Sequence, residues 1–234
     1  QHNSGNVGGT PGGNQPSSTN PATGSGPTAI PPISVSVTED DVLQQTGRLP
    51  TIQRGSTGFT WQISPVTGVF GDLAIDRHGH WQYHLHDGAP QVQALSAGQT
   101  VQEVFSVAGH DPSGHQVQSN FVVDIHGTND KPQIVGVDSG VAVEDVHNDV
   151  TGSLAVIDPD AGESAAWLAL DTQGKYGSFS VDQTGNWHYQ LDPNLAQGLN
   201  AGQSVVEVFR VQVTDKAGAV SDAQEITVQV QGTA

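Results

Sequence analysis

The chain has 234 residues, enough for one or two domains, and it contains no cysteine, which excludes disulfides and thiolate metal sites. Its 7 basic and 24 acidic residues give a formal net charge of -17, which disfavours nucleic acid and anionic membrane surfaces as direct partners and attracts cations. No run of about 18 consecutive apolar residues is present, so we expect no insertion into a membrane.

The first 31 residues are rich in Gly, Pro, Ser, Thr and Asn, and they carry no Asp, Glu, Lys or Arg. Such a segment has almost no apolar surface to bury. We therefore expect residues 1–31 to form a disordered tail, either a featureless solvated leader or a spacer for attachment.

Beyond the tail, the chain repeats itself at an interval of about 105 residues. The stretch GDLAIDRHGHWQYHL, from Gly71, matches GSFSVDQTGNWHYQL, from Gly177. In the same way, LSAGQTVQEVFSV, from Leu95, matches LNAGQSVVEVFRV, from Leu199. Each copy is long enough to bury a core of its own.

Each copy has the pattern of short β-strands. Trp81, Tyr83 and Leu85 alternate with polar residues, so they point to one face of an extended strand, and residues 76–79 fit a tight hairpin turn that ends in Gly. The second copy has the same alternation and the same turn. Further strands are predicted over residues 101–107, 118–125, 205–213 and 225–230, with at most a helical turn near residues 90–97 and 193–201.

These patterns predict an all-β chain. We expect two tandem antiparallel β-sandwiches, over residues 32–129 and 130–234, after the disordered tail.

The aromatic residues of these strands allow two interpretations. Aromatic faces suit stacking on sugar rings, but the strand positions that these residues share with Ile75 and Val181 favour packing in the core. The residues concerned are Trp81, Tyr83, Trp187 and Tyr189, with Trp61 and Trp167 also assigned to the core.

A group of histidines lies on the polar face of the first copy. His80, His84 and His86 share this face, and His78 lies in the adjoining turn. Residues i and i+4 of a strand are about 13 Å apart, too far for one metal ion, whereas His84 and His86 are close enough to share one. An exposed polar face is the favoured interpretation, while a role in sugar binding or proton sensing stays open.

Acidic and amide residues occur near the predicted domain ends. Calcium requires six to eight oxygen ligands, and no short stretch here supplies that many, so several stretches would have to converge. The alternative is that these residues are solvated members of ordinary turns. The candidates are Glu39 and Asp40, Asn129 and Asp130, and Asp158 and Asp160.

Four motifs together resemble the bacterial cadherin-like repeats, of VCBS or BIG type, of large secreted adhesins. They are DPDAGE, YGSFSVDQTGNWHYQLD, AGQSVVEVFRVQVTD and GTNDKP, and the resemblance covers about residues 33–233. In such repeats, Ca²⁺ lies between consecutive sandwiches. The resemblance implies as ligands Glu39, Asn129, Asp130, Asp158 and Asp160, with Glu163 a weaker addition.

The two copies depart from the family pattern in ways that bear on the number of sites. The first copy has Gln53 and Gly55 where the second has Asp158 and Asp160, and the sequence ends Gly-Thr-Ala without an Asn-Asp-x-Pro junction. We therefore expect one calcium site, at the single junction, and do not assign Glu144 as a ligand.

No catalytic constellation is apparent, because the nucleophile-elbow, zinc-protease and phosphate-loop motifs are all missing, so we expect no enzymatic activity. As a two-domain chain, the sequence resembles the rhizobial adhering proteins. That resemblance implies a monomeric, secreted, calcium-dependent lectin at the bacterial cell surface or in the extracellular matrix of a biofilm.

Its implied ligand is an acidic bacterial exopolysaccharide or capsular polysaccharide, although the sequence does not locate the sugar-binding residues. The absence of a Sec-type signal is compatible with type I secretion. The alternative function is a passive, calcium-stiffened spacer within a larger adhesin.

Overall fold

The computed structural model describes residues 28–50, 60–62, 66–160 and 165–233. Most of the predicted tail lies outside these ranges, as do Gln53, Gly55 and Glu163. Thr28 and Ala29, which the sequence assigns to the tail, form a short strand.

The first half of the described chain contains nine strands and one short helix. In chain order these are β1 (Thr28–Ala29), β2 (Ile33–Thr38), β3 (Gln44–Arg48), β4 (Thr60–Trp61), β5 (Val66–Thr67), β6 (Gly71–Ile75), β7 (His80–Leu85), α1 (Pro90–Gln93), β8 (Thr100–His110) and β9 (Gln116–His126).

The second half of the described chain repeats most of these elements. They are β10 (Gln133–Gly136), β11 (Ser139–Val143), β12 (Asp149–Ile157), β13 (Ala166–Ala169), β14 (Gly177–Val181), β15 (Asn186–Leu191), α2 (Pro193–Ala196), β16 (Ser204–Thr214) and β17 (Gln224–Gln231). Both helices have four residues, and within the described ranges no helix is long and apolar enough to cross a membrane.

Each half forms two facing sheets with the same order of central strands, and the halves differ in the edge strands β1, β5 and β10. In the first half, the sheet β1-β9-β8-β4, with β2 also paired to β9, faces the sheet β3-β7-β6-β5. In the second half, β11-β17-β16-β13 faces β10-β12-β15-β14. The predicted all-β fold of two tandem sandwiches is therefore confirmed.

The sandwiches are not wholly antiparallel. β2 pairs in parallel with β9, with Val37 opposite Ile125, and β11 pairs in parallel with β17. Parallel neighbours need a long crossover between them, and here almost the whole domain serves as that connection. Alternation along each strand does not reveal this, because it specifies which face a residue takes but not the direction of the partner strand.

The predicted core residues are buried in two separate clusters, one in each half. Tyr83, Trp187 and Tyr189 are fully buried, and Trp81 packs edge-on against Phe121 with ring centroids 4.8 Å apart. Trp61 and Trp167 are buried as well. The core assignment of the aromatic residues is therefore correct, and their faces are not open for stacking on sugars.

Each core contains a buried carboxylate that the sequence analysis did not identify. Glu103 accepts hydrogen bonds from the Tyr83 hydroxyl, at 3.0 Å, and from the Phe70 amide, at 3.2 Å. Glu207 accepts in the same way from the Tyr189 hydroxyl and from the Tyr176 amide. Burial raises the pKa of each tyrosine hydroxyl, and the adjacent carboxylate raises it further.

We predict that Tyr189→Phe destabilises the protein by about 1–3 kcal/mol, because Glu207 loses a buried hydrogen-bond donor. Urea unfolding followed by tryptophan fluorescence should show a lower midpoint with an unchanged slope. The control is Val208→Ala. Val208 follows Glu207 on β16 but is 47% exposed, so this change should alter the free energy of unfolding by under about 0.5 kcal/mol. Equal effects of the two variants would contradict the structural role of the Tyr–Glu pair.

Candidate metal centre

Parallel pairing of β2 with β9 carries Glu39 to the end of the first sandwich at which the chain leaves it. The Glu39 amide donates to the His126 carbonyl at 3.0 Å, which continues the ladder by one residue. The Glu39 carboxylate is fully buried, with Oε2 accepting from the Thr128 amide at 3.2 Å and Oε1 from Gln93 Nε2 at 3.0 Å. Glu39 is therefore fixed beside the junction, although 89 residues separate it from Thr128.

Gly127 allows this close approach. A Cβ atom built on Gly127 would lie 2.0 Å from the Leu95 carbonyl oxygen, so any side chain there would push the strand end away from the loop that follows α1. Gly232 lies against the Leu199 carbonyl in the second domain in the same way. The glycine of the Gly-Thr pair that ends each copy is thus required by packing.

The second domain supplies carboxylates to the same place. Asp160 is only 2% exposed, and its Oδ2 accepts a hydrogen bond from the Asp130 amide at 2.7 Å. The Asp160 amide in turn donates to Asp158 Oδ1 at 3.0 Å. The predicted Asp-x-Asp pair therefore folds back onto the predicted Asn-Asp junction.

Asn129 binds Asp215, a residue that the sequence pattern did not predict at the junction. Its Nδ2 donates to Asp215 Oδ2 at 2.9 Å, and Asp215 is 5% exposed. The other oxygen of Asp215 accepts from the Gly218 amide at 2.6 Å and from the Ala219 amide at 2.9 Å. Asp111 of the first copy occupies the corresponding position in the turn HDPSGH, so the repeat marks Asp215 only as a turn residue.

Several buried oxygen atoms at the junction have no hydrogen-bond donor among the described residues. They belong to three of the predicted ligands, and they are Asn129 Oδ1, Asp130 Oδ2 and Asp160 Oδ1. Buried polar atoms are nearly always paired in folded proteins, and an unpaired one usually marks a bound ion or water. The donor set of carboxylate and amide oxygens fits a hard cation such as Ca²⁺.

The raised pKa values of two carboxyl groups at the junction also favour a bound cation there. Burial, opposed by the Thr128 hydrogen bond but aided by the charges of Asp130, Asp40 and Asp160, raises the pKa of Glu39 to about 7. Burial also raises the pKa of Asp130 to about 6, with contributions from the charges of Asp40 and Asp160. Neighbouring carboxylates thus resist simultaneous ionisation in the absence of a cation.

Lys131 does not relieve this repulsion directly. Its Nζ forms an ion pair with Asp222 Oδ1 at 2.6 Å, and Asp222 is 96% exposed on its side chain. The basic residue of the junction therefore neutralises a surface carboxylate of the second domain.

All five residues that the family resemblance implied come together at the junction. Asp40 lies close enough to this cluster that its charge raises the pKa of Asp130, and Asp215 joins the cluster through Asn129. Glu163, the weaker candidate, lies outside the described residues. Whether these residues bind a metal remains a prediction.

The far end of the second domain contains a copy of the Glu39 arrangement. Oε2 of the fully buried Glu144 accepts from the Thr233 amide at 3.2 Å, which matches the Glu39–Thr128 distance. The other oxygen, Oε1, has no donor within the described part of the chain, whereas Gln93 supplies one to Glu39. Asp40 and Asp145, which follow the two glutamates, both have φ of 58°, so the local backbone is the same.

The histidines lie on the exposed face, as the sequence favoured. His80 Nδ1 is 2.9 Å from Asp76 Oδ2, and His86 Nε2 is 2.9 Å from Asp72 Oδ2. His84 is exposed at the surface of β7. The spacing allowed His84 and His86 to share one metal ion, but His86 instead binds Asp72 on the neighbouring strand β6.

Comparison with known proteins agrees with this arrangement. Residues 129–232 match the family model of the bacterial cadherin-like domain. The second domain is therefore similar to that family over almost its whole length. The first domain has the same order of central strands, and its Glu39 accepts a hydrogen bond from Thr128, directly before the matched residues.

A curated relative matches across both domains. It is the calcium-binding lectin RapA2 of Rhizobium johnstonii, which is 27% identical over 188 residues, covering 74% of this chain and 76% of the relative. The resemblance that the four sequence motifs carried is therefore confirmed.

Solved cadherin structures share the fold. Drosophila N-cadherin domains EC1-4 match with a TM-score of 0.51 at 13% identity over 88% of this chain. Mouse cadherin-23 domains EC22-24 match with a TM-score of 0.50 at 13% identity over 87% of this chain. The chain spans 50% of the first structure and 64% of the second, and at this identity the similarity shows the fold alone.

We predict that the metal-free protein loses stability as the pH rises from about 4.5 to 7. Glu39 has a higher pKa in the folded than in the unfolded chain, so its contribution is complete below pH 4.5 and is lost through pH 7. In chelator, the free energy of unfolding should fall by about 1–3 kcal/mol over this range.

The variant Glu39→Gln should make this decline shallower, because the amide resembles the protonated acid and does not titrate, while the raised pKa of Asp130 still contributes. Glu144→Gln, the equivalent substitution away from the junction, is the control and should keep the decline. A wild-type profile that rises between pH 4.5 and 7 would contradict the assignment.

Proposed function

We propose that this chain is a secreted, calcium-dependent lectin and adhesin that recognises acidic bacterial exopolysaccharide or capsular polysaccharide in cell adhesion and the biofilm matrix. The observation that carries the calcium part is the set of unpaired buried oxygens at the domain junction. The ligands would be Glu39, Asn129, Asp130, Asp158 and Asp160, with Asp40 and Asp215 contributing to the same cluster.

The charge balance supports a divalent cation at this position. Two carboxylates 4 Å apart repel by about 4 kcal/mol at an effective dielectric of 20, and the cluster contains several such acids. When bound, Ca²⁺ supplies two positive charges that offset this repulsion. The carboxylates of Glu39 and Asp130, which would otherwise hold protons near neutral pH, could then ionise.

Ligation at the junction would also fix the relation of the two domains. Glu39 belongs to the first sandwich and Asp160 to the second, while Asn129 and Asp130 lie between them. Residues of both domains that share one ion cannot move apart without losing ligands. The junction residues therefore hold the two sandwiches in one orientation in calcium and release them in chelator.

The lectin part of the proposal rests on the similarity to RapA2, whose name describes a calcium-binding lectin. An acidic polysaccharide is compatible with a net charge of -17 if calcium neutralises part of the protein or bridges a sugar carboxylate to it. An extracellular location, type I secretion and a monomeric state belong to the same proposal.

We predict that Asp158→Asn/Asp160→Asn weakens calcium binding at least tenfold, because it removes two charged ligands from the junction. Isothermal titration of CaCl₂ into the full chain measures this change. The matched control, Asp138→Asn/Asp149→Asn, removes two exposed carboxylates of the same domain outside the junction, and it should bind calcium like the wild type. Equal calcium affinities of all three proteins would show that the junction is not the calcium site.

We also predict that an acidic exopolysaccharide immobilised on beads retains the wild-type chain in calcium and releases it in chelator. A neutral dextran is the control matrix and should retain nothing. If the Asp158→Asn/Asp160→Asn variant is not retained in calcium, polysaccharide binding depends on the calcium site at the junction. Calcium binding without retention on any polysaccharide would favour the spacer function over the lectin.

A further inference from the structure

We propose that the hairpin turn between β6 and β7 is a binding site for zinc or a similar transition-metal ion, held by Asp76, His78 and His80. This site is distinct from the junction and independent of the lectin function. The ligand atoms of its three side chains, one carboxylate oxygen and two imidazole nitrogens, all lie within 4.8 Å of one another.

The distances suit zinc. His80 Nδ1 is 2.9 Å from Asp76 Oδ2, and His78 Nδ1 is 3.9 Å from the same oxygen. Zinc binds nitrogen and oxygen donors at about 2.0–2.2 Å, so two ligands of a tetrahedral site lie about 3.3 Å apart. The observed distances lie on either side of this value, and small side-chain rotations would bring all three atoms onto one ion.

The backbone of the turn already positions the ligands. Asp76 Oδ1 accepts hydrogen bonds from the His78 amide at 2.8 Å and from the His80 amide at 2.9 Å, which leaves Oδ2 toward the imidazoles. Gly79 provides the positive φ of 81° that closes the hairpin. Only side-chain torsions are therefore left to order when an ion binds.

The position also leaves room for further ligands. Asp76 and His80 border an open depression of about 720 Å³ on the outer face of the sheet β3-β7-β6, and all three ligating side chains are roughly half exposed. Water or an anionic group could therefore complete the coordination. Imidazole nitrogen is a preferred ligand of zinc and copper and a poor one for calcium, so the site should discriminate against calcium.

The chain contains natural comparisons for this site. The corresponding turn of the second domain keeps the carboxylate geometry, with Asp182 Oδ1 accepting from the Thr184 and Asn186 amides at 2.8 and 3.0 Å. It has no histidine at either position. A third turn, at Asp111, has a similar carboxylate but offers one histidine, His115, with Ser113 at the middle position. Of these three turns, the one at residues 76–80 has two histidines, the turn at Asp111 has one, and the turn at Asp182 has none.

The experiment titrates ZnCl₂ into the full chain by calorimetry in saturating CaCl₂, so that the junction is occupied. We expect about one zinc per chain at micromolar concentration for the wild type. His78→Thr/His80→Asn installs the residues of the second-domain turn and should weaken binding at least tenfold. Thr184→His/Asn186→His, the converse change, should add a second equivalent of zinc.

Circular dichroism of each variant checks that the sandwiches remain folded, and broadening of the amide signals of residues 76–80 by Cu²⁺ locates the ion. Zinc uptake with signal loss confined to this turn would support the site. No uptake by the wild type below about 100 µM, or equal affinity of the His78→Thr/His80→Asn variant, would overturn it.

Discussion

The parallel pairing of the first long strand of each domain with its last strand determines the rest of this structure. In an antiparallel arrangement, the residue that follows β2 would lie at the opposite end of the sheet from the residue that follows β9. Here the two strands run in the same direction, so Glu39 and Thr128 lie side by side and the Thr128 amide donates a hydrogen bond to the Glu39 carboxylate. A carboxylate from the start of a domain thereby reaches the point where the next domain begins.

That placement explains why a buried acidic cluster can exist in a chain with few basic residues. Glu39 and Asp160 come from different sandwiches, and both are buried beside Asn129 and Asp130, where the two sandwiches meet. A main-chain amide donates to one oxygen of each acid. Gln93 donates to the second oxygen of Glu39, whereas the second oxygen of Asp160 has no donor among the described residues. Hydrogen bonds from the chain thus fix the orientation of both acids, and acceptor atoms of the second domain stay buried without a donor.

Much of the architecture could be predicted from the sequence, because a strand imposes a period of two on its side chains and a repeat allows each copy to check the other. Tyr83 and Tyr189 were assigned to the core for this reason. The buried partners Glu103 and Glu207 were not, because an acidic residue in an alternating strand normally faces solvent and only the fold shows the tyrosine hydroxyl that reaches it.

At the junction, the predicted ligands depended on the resemblance to a family rather than on spacing. Asp215 was missed because nothing in its local sequence distinguishes it from the structural Asp of an ordinary turn, such as Asp111. It is the Asn129 amide, 86 residues away, that gives Asp215 its position at the junction. Contacts between distant segments of this kind have no local pattern from which to predict them.

The direction of β2 relative to β9 also has a mechanical consequence. A force applied at the two ends of the first domain would act at the start of β2 and at the end of β9, which lie at opposite ends of the same pair of strands. Tension along this line shears the ladder between Ile33 and His126, so its hydrogen bonds share the force and must break together. An antiparallel terminal pair pulled from neighbouring ends would instead unzip one bond at a time. The same strand direction that brings Glu39 to the junction therefore makes each sandwich resist extension.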